Sequence, residues 1–239
     1  MIEHFVIHPL STTWWIGIIS SLVFIVSILF LFKNKSAAVK DNFAKWLSIS
    51  FLLTYVISNS YIIYSGWWNV QDNLPLHLCR MSFFISMIVL ITKKQWMYEW
   101  VLYLAIPTGI HSILTPEMTQ GVNAWFYFDY YFVHAGLILV PLYLTIIIGM
   151  KTRADAWWRT ILRLQIPVAV ILPLNFLLES NYMYLRHKPL VDNPFLIGEW
   201  PVYIVFLEIT MVAHVYIIHL LAPKSKKENY NLTNTPIIT

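Results

Sequence analysis

Residues 14–32, WWIGIISSLVFIVSILFLF, form a run of nineteen residues without a charged side chain. A helix needs about 20 mostly apolar residues to cross the hydrocarbon core of a bilayer, so this run predicts a transmembrane helix. No basic segment precedes it and no small-residue cleavage motif follows it, which separates it from a cleaved secretory signal. We therefore interpret it as the first of several membrane spans.

Six further stretches of the chain have the same character. Charged residues make up 12% of the 239 residues, about half of their share in soluble domains, which excludes a soluble globule, a disordered chain and a nucleic-acid-binding protein. None of the stretches has a period of two, which argues against a transmembrane barrel. The predicted fold is all-α, with seven transmembrane helices in one domain, residues 1–223, and a polar, disordered tail, residues 224–239. The predicted spans are about 14–32, 45–64, 76–92, 95–113, 130–150, 160–178 and 200–221.

The basic residues predict how the bundle is oriented. Most Lys and Arg residues lie in the loops after the first, third and fifth predicted spans and in the tail. Basic residues accumulate on the cytoplasmic side of membrane proteins, so the N-terminus is predicted outside and the C-terminus in the cytoplasm. The net charge of +4 then reflects topology rather than an acidic partner. The sequence thus predicts a multi-pass protein of the cell membrane whose partners are lipids.

Polar side chains recur at one depth along six of the predicted spans. At a rise of about 1.5 Å per residue, they lie roughly 5–12 Å below the predicted outer boundary. Polar groups in hydrocarbon are costly and usually face a cavity or one another, so we expect a polar pocket in the outer half of the bundle. For any one of them, an interhelical hydrogen bond or a structural ion pair is the competing interpretation. The residues are Asn59, Cys79, Arg80, His111, His134, Asn175 and Glu208.

The single cysteine, Cys79, rules out an internal disulfide and a cysteine-rich metal site. It lies in the segment DNLPLHLCR, residues 72–80, in which Asp72 or Asn73 is predicted to cap a helix. The helix dipole and Arg80 both favour the thiolate, whereas burial in lipid opposes it. A reactive cysteine and an inert one are therefore both compatible with the sequence.

A nucleophilic cysteine also needs a base from another helix. His134 is the first candidate because its predicted depth matches that of Cys79, and His111 is the second. His77 is a poor candidate, since side chains two residues apart point to nearly opposite faces of a helix. The same geometry argues against a zinc site, and we predict neither a metal nor another cofactor. His214 and His219, deeper on the last span, are interpreted as packing residues.

Four segments resemble the YwaF-type bacterial integral membrane proteins, a family related to a eukaryotic transmembrane protein described as a cysteine-dependent phospholipid acyltransferase. They are LPLHLCR (74–80), GIHSILTPE (109–117), FVHAGLILVPLYL (132–144) and NYMYLRHKP (181–189), the last followed by Trp200-Pro201. The resemblance implies a seven-helix bundle in which Cys79 is the acyl-accepting cysteine and His134 its partner. The family often has Gln at the position of His111, which favours a hydrogen-bonding role there.

The leading functional hypothesis is acyl transfer or hydrolysis on a lipid in an outer-leaflet pocket. Cys79 would attack an ester carbonyl, and His134 would take the thiol proton. His111, Asn59 or Asn175 would donate hydrogen bonds to the oxyanion. The alternatives are a non-catalytic protein that binds or transports a lipid or small amphipath, and a structural subunit of a larger complex.

Charged residues are predicted to bind the rest of the lipid. Arg80 would hold a phosphate together with Arg186 or Lys188, which lie in the only predicted outer loop that carries basic residues. A solvated loop that contacts anionic headgroups is the competing interpretation for this pair. Glu208 would orient His134 or pair with Arg80.

Overall fold

The computed structural model describes residues 5–118, 123–190 and 194–225. Within these ranges the chain is mostly helical, whereas most of the predicted tail, residues 226–239, lies outside them. Helices α4 and α5 form one rod, 95–114, because the π-helical turn Val101–Ala105 joins them, and α6 continues through a second π-helical turn, Tyr143–Ile147. The helices are α1 (Thr12–Phe32), α2 (Ala37–Tyr64), α3 (Leu78–Thr92), α4 (Gln95–Trp100), α5 (Ile106–Leu114), α6 (Ala124–Leu142), α7 (Ala156–Leu177) and α8 (Val202–Leu221).

Five helical segments are long and apolar enough to cross a membrane: Thr12–Phe32, Ala37–Tyr64, Ala124–Ile147, Ala156–Leu177 and Val202–Leu221. Three of these, α1, α7 and α8, bury little of their surface and present large apolar side chains outward, among them Phe30, Leu177 and Leu221. Such extensive apolar surface fits contact with lipid rather than with water. The all-α membrane fold is therefore confirmed. The count of seven spans and the orientation stay predictions, since α3 and the rod 95–114 are not single long helices.

The rod 95–114 and α6 form the centre of the bundle. Every residue from Met97 to Ala105 is buried. Proline has no N–H to bond to the preceding turn, and the helix widens into its π-helical turn just before Pro107. The two central helices approach closely at Gly109, where an added Cβ would lie 2.8 Å from the backbone oxygen of His134. A glycine at this position thus sets how near α5 lies to His134.

Helix α3 begins later than predicted, at Leu78, and His77 is its N-cap. The prediction that Asp72 or Asn73 caps this helix is wrong, because residues 65–77 form a loop with its own hydrogen bonds. Asn73 Oδ1 accepts a bond of 2.9 Å from the Asn69 N–H within that loop. Pro75 disfavours helical backbone at Leu74, which argues against a helix that starts at Asp72 or Asn73. Cys79 therefore lies in the first turn of α3.

A second loop, residues 178–190, packs over the loop that precedes α3. Asn175, fully buried near the end of α7, anchors it: its Nδ2 donates to the Tyr182 carbonyl at 2.8 Å, and its Oδ1 accepts from the Tyr182 N–H at 2.8 Å and from Ser180 Oγ at 2.9 Å. The Tyr182 hydroxyl donates to the Val70 carbonyl at 2.7 Å and accepts from the Leu74 N–H at 2.9 Å. The two loops thus form one cover over the end of the bundle where α3 begins.

A short antiparallel ribbon completes this cover. Strand β1, Phe5–Val6, pairs with β2, Glu117–Met118, which follows α5 directly. Trp14 Nε1 donates to the Leu114 carbonyl at 2.8 Å and ties the start of α1 to the end of α5. This end of the bundle is the one predicted to face outward.

Candidate functional site

A cavity of about 210 Å³ lies beneath this cover, between the first turn of α3, the end of α5 and the N-terminal part of α6. Its wall combines ionisable and apolar side chains, so it suits a molecule with a polar and an apolar part. Five residues predicted for the pocket line it: Asn59, Cys79, Arg80, His111 and His134. The structure therefore brings together residues from four separate helices at one place.

Cys79 lies on this wall at the N-terminus of α3. The first N–H groups of a helix have no acceptor within the helix, and the His77 side chain does not cap them. The sulfur of Cys79 lies beside the backbone N–H groups of Cys79 and Arg80 in the first turn of α3. These two amides are thus hydrogen-bond donors close to the place where charge would develop on or beside the sulfur.

His134 is held in one orientation by its own helix. Its Nδ1 lies 2.7 Å from the Tyr130 carbonyl oxygen, and because a carbonyl only accepts, Nδ1 carries the proton. The Tyr130 ring packs on the imidazole with centroids 4.2 Å apart, and its hydroxyl donates to the Ser112 carbonyl at 2.8 Å. In the neutral ring, Nε2 is therefore a bare nitrogen that can accept a proton, and it has no partner among the described residues.

His111 is paired with a histidine that the sequence did not indicate as part of the site. His214 Nδ1 donates to the Thr210 carbonyl at 2.7 Å, so His214 Nε2 is the acceptor in its 3.3 Å contact with His111 Nε2. Phe195 packs edge-on against both rings, with centroids 5.6 and 6.0 Å away. The N–H of neutral His111 is thus already used in this contact, whereas the sequence predicted that it donates to an oxyanion.

Arg80 and Asp129 bring opposite charges to the cavity wall. The Arg80 guanidinium lies over the Tyr55 ring, 5.7 Å from its centroid, and forms no ion pair within the described ranges. Ser58 Oγ accepts from Trp125 Nε1 at 2.9 Å and lies beside the Asp129 carboxylate. One oxygen of this carboxylate, Oδ1, is buried and has no partner among the residues described. Both charged groups therefore have hydrogen-bonding capacity left for a ligand.

The mouth of the cavity is formed by Glu117 of the ribbon and Tyr184 of the covering loop. The Tyr184 phenol lies beside the Glu117 carboxylate, and burial together with this negative charge raises the pKa of the phenol, so it stays protonated. Sequence reasoning missed Asp129 and Tyr184. An acidic residue inside the aromatic run WFYFDYYF, 125–132, was the available signal for Asp129.

The remaining predicted residues lie outside this cavity. Asn175 is used in anchoring the loop, and the Glu208 carboxylate accepts from Gln165 Nε2 at 3.2 Å rather than pairing with Arg80 or His134. The guanidinium of Arg186 lies 5.7 Å from the centroid of the Phe176 ring. Lys188 pairs with Glu199 at 3.1 Å and borders a wider groove beside the cavity mouth. These contacts place all four outside the site as the structure defines it.

Comparison with known proteins gives one match. A model of the TMEM164 family matches residues 9–219, which include all eight helices except the last two residues of α8. No curated protein and no solved structure matches the chain. The match confirms that the chain resembles a membrane protein family, whereas the resemblance to the YwaF-type proteins stays a prediction.

Proposed function

Since the chain belongs to the TMEM164 family of multi-pass membrane proteins, we propose that it is a membrane-embedded lipid acyltransferase or acyl hydrolase in which Cys79 and His134 carry the chemistry. The supporting observation is convergence. The four segments that carried the sequence resemblance each contribute to one cavity, through Cys79, His111, His134 and Tyr184. These residues are spread over more than a hundred positions of the chain and yet line one cavity. An inert cysteine would not require such an arrangement around it.

The first chemical step follows from the tautomer of His134. Its bare Nε2 takes the proton from the Cys79 thiol, and the sulfur attacks the carbonyl carbon of a lipid ester. A C–S bond forms, the ester C–O bond breaks, and the departing alkoxide receives the proton from His134 Nε2. The products are a thioester on Cys79 and a lysolipid or its equivalent.

The negative charge that develops on the carbonyl oxygen needs donors that are already in place. With the His111 N–H engaged, this role falls to the first-turn amides of Cys79 and Arg80. Backbone donors of this kind contribute roughly 100- to 1,000-fold to the rate. The Arg80 guanidinium is then left to bind the phosphate of the lipid, as the sequence predicted.

The cavity lies at the end of the bundle that is predicted to be extracytoplasmic, so we place the reaction in the outer leaflet. We also propose that all seven helical rods span the membrane, with α3 ending below the surface. A cysteine-accessibility scan of introduced residues in the loop 33–36 and in the covering loop tests the orientation. Labelling of the loop 33–36 from outside intact cells would reverse it.

The decisive experiment is mass spectrometry of the intact protein in liposomes of phosphatidylethanolamine and phosphatidylglycerol. We expect an acyl adduct on Cys79 that is lost in Cys79→Ala and strongly reduced in His134→Gln. His219→Gln is the matched control, because His219 contacts Tyr103 away from the cavity. Lipid turnover at the wild-type rate in Cys79→Ala would refute the mechanism.

One observation favours a non-catalytic lipid binder instead. Arg80 and Asp129 keep free hydrogen-bonding capacity in the cavity, which binding alone explains. A thiol-reactive, lipid-like probe separates the two functions. Fast labelling of Cys79 that falls in His134→Gln supports catalysis, whereas slow labelling that ignores this change supports binding.

A further inference from the structure

The cavity contains a second imidazole that the first acylation step does not use. His111 reaches the cavity from α5, and His214 holds it from α8 without itself lining the wall. The hydrogen bonds run in one direction, from His111 Nε2–H to His214 Nε2 and from His214 Nδ1–H to the Thr210 carbonyl. This direction is fixed because the last acceptor is a carbonyl oxygen.

The consequence is a bare nitrogen on His111. With its proton on Nε2, neutral His111 has a lone pair on Nδ1, and this atom has no partner in the described part of the chain. Two of the histidines that line the cavity therefore carry a bare ring nitrogen, Nε2 in His134 on α6 and Nδ1 in His111 on α5. Acyl transfer also requires two proton removals, one from the thiol and one from the acyl acceptor.

We propose that His111 is the base for the acyl acceptor and that His214 is the positioning residue that keeps its Nδ1 free of a proton. This inference rests on the proposed function, in which Cys79 carries the acyl group. Once His111 takes a proton, its Nε2–H bond to the bare nitrogen of His214 becomes charge-assisted and stronger. His214 thus does for His111 what the orienting group does for the base of a catalytic triad.

In this second step the acyl group passes from Cys79 to the acceptor, a lysolipid alcohol or water. The hydroxyl proton of the acceptor passes to His111 Nδ1, and its oxygen attacks the thioester carbonyl carbon. A C–O bond forms while the C–S bond breaks, and the electron pair leaves with the sulfur of Cys79. The imidazolium of His111 then returns the proton to this thiolate, which restores both groups.

The two histidines lie on different helices, so the leaving alcohol and the acceptor alcohol can occupy different sides of the cavity. The leaving alcohol departs beside His134 on α6, whereas the acceptor approaches beside His111 on α5, where Ser112 and Thr115 also line the cavity. An acceptor can then bind while the thioester is intact. Removal of one base should consequently affect one half-reaction only.

The test separates the two half-reactions in the full-length protein in detergent micelles. We acylate Cys79 with p-nitrophenyl octanoate, follow the adduct by intact-protein mass spectrometry, and then add a lysophospholipid or buffer alone. We expect His111→Gln to form the thioester at the wild-type rate and to release it at least about 100-fold more slowly, the usual contribution of a base. We expect His134→Gln to slow thioester formation instead.

Variants of His214 test the positioning role. His214→Leu should slow release as His111→Gln does, and His214→Gln should restore it, because the glutamine carbonyl oxygen can accept from His111 Nε2. Nitrogen-15 NMR of labelled histidine should show, among the unprotonated Nδ1 signals of the wild type, one that is lost in His111→Gln. His219→Gln again serves as the control for general effects of a lost histidine.

Each outcome decides a different question. Failure of the wild type to form a thioester would overturn the proposed function and this inference with it. A thioester that forms normally and is released equally fast by the wild type and His111→Gln would overturn the second base alone. Equal slowing of both half-reactions in His111→Gln would assign His111 to the shape of the cavity. Release with lysophospholipid but not with buffer distinguishes a transferase from a hydrolase.

Discussion

Replacement of Asn175 by leucine separates two roles that the sequence could not distinguish. Sequence reasoning placed this residue in the substrate pocket, whereas the structure shows a buried side chain that satisfies the backbone of the covering loop. Its three partners are the Tyr182 N–H, the Tyr182 carbonyl and the Ser180 hydroxyl. Leucine has a similar volume and none of these hydrogen bonds, so Asn175→Leu removes the anchor without creating a large void.

The expected cost follows from the groups left behind. A buried polar group without a partner costs about 1–3 kcal/mol, so three such groups destabilise the closed loop by roughly 3–9 kcal/mol if none of them finds water. Every 1.4 kcal/mol changes an equilibrium tenfold. Opening of residues 178–190 should therefore become more than about 100-fold easier, while the helices stay folded. Ser180→Ala removes one of the three bonds and should cost only about 1 kcal/mol.

Hydrogen–deuterium exchange of the detergent-solubilised protein measures this directly. We expect faster exchange in the peptides that cover residues 178–190 and 69–76, because Tyr182 connects the two loops, and unchanged exchange in α6. Labelling of Cys79 should change in parallel, since the same loops cover its cavity. Unchanged exchange in both loops, combined with lost lipid turnover, would refute the anchoring role and return Asn175 to the substrate site.

Three further substitutions test the packing around the site and at the opposite end of the bundle. Gly109→Val places a side chain against the His134 carbonyl. It should lower the free energy of thermal unfolding by about 1–3 kcal/mol and slow the acylation of Cys79. Acylation at the wild-type rate would show that the spacing of α5 and α6 does not matter. Arg153→Met leaves the fully buried Glu99 without its bidentate partner. It should lower the free energy of unfolding by roughly 3–5 kcal/mol, and the double variant with Glu99→Met should regain most of this loss. Tyr131→Phe removes a buried hydroxyl that has no partner among the described residues. The free energy of unfolding should therefore stay equal or rise by about 1 kcal/mol. A clear loss of stability would reveal an acceptor bound to this hydroxyl.

The helices themselves were predictable because their signal is local. An apolar run of sufficient length specifies a helix whatever its neighbours are, and each of the seven predicted spans overlaps one helical rod. The start of α3 was misplaced by two residues because the hydrogen bonds of the loop before it come from Asn69 and Tyr182. Tyr182 lies more than a hundred residues away, and no local pattern contains that information.

The sequence predicts how far along each helix a polar side chain lies, but not which way that side chain points. Counting residues along a helix predicts the level of a side chain in the membrane, and this put Cys79 and His134 at one level; both line the same cavity. Which way a side chain points depends on how each helix is rotated against its neighbours. Asn175 and Glu208 lie outside the cavity for this reason, and His214, placed too deep by counting, proved to contact His111.

The short length of α3 explains why a cavity exists at this end at all. Fifteen residues extend about 22 Å, less than the roughly 30 Å of the hydrocarbon core. If the other end of α3 lies at the inner surface, the loop 65–77 must occupy the missing depth, and its polar backbone is tolerated there only where protein or a polar cavity satisfies it. The Tyr182 hydroxyl and the Asn73 side chain supply such partners for the loop. The unpaired amides of the first turn of α3 lie beside the cavity. In the proposed orientation, a helix that begins late would bring an uncapped N-terminus, with Cys79 on it, to the depth at which a lipid's ester groups meet its chains.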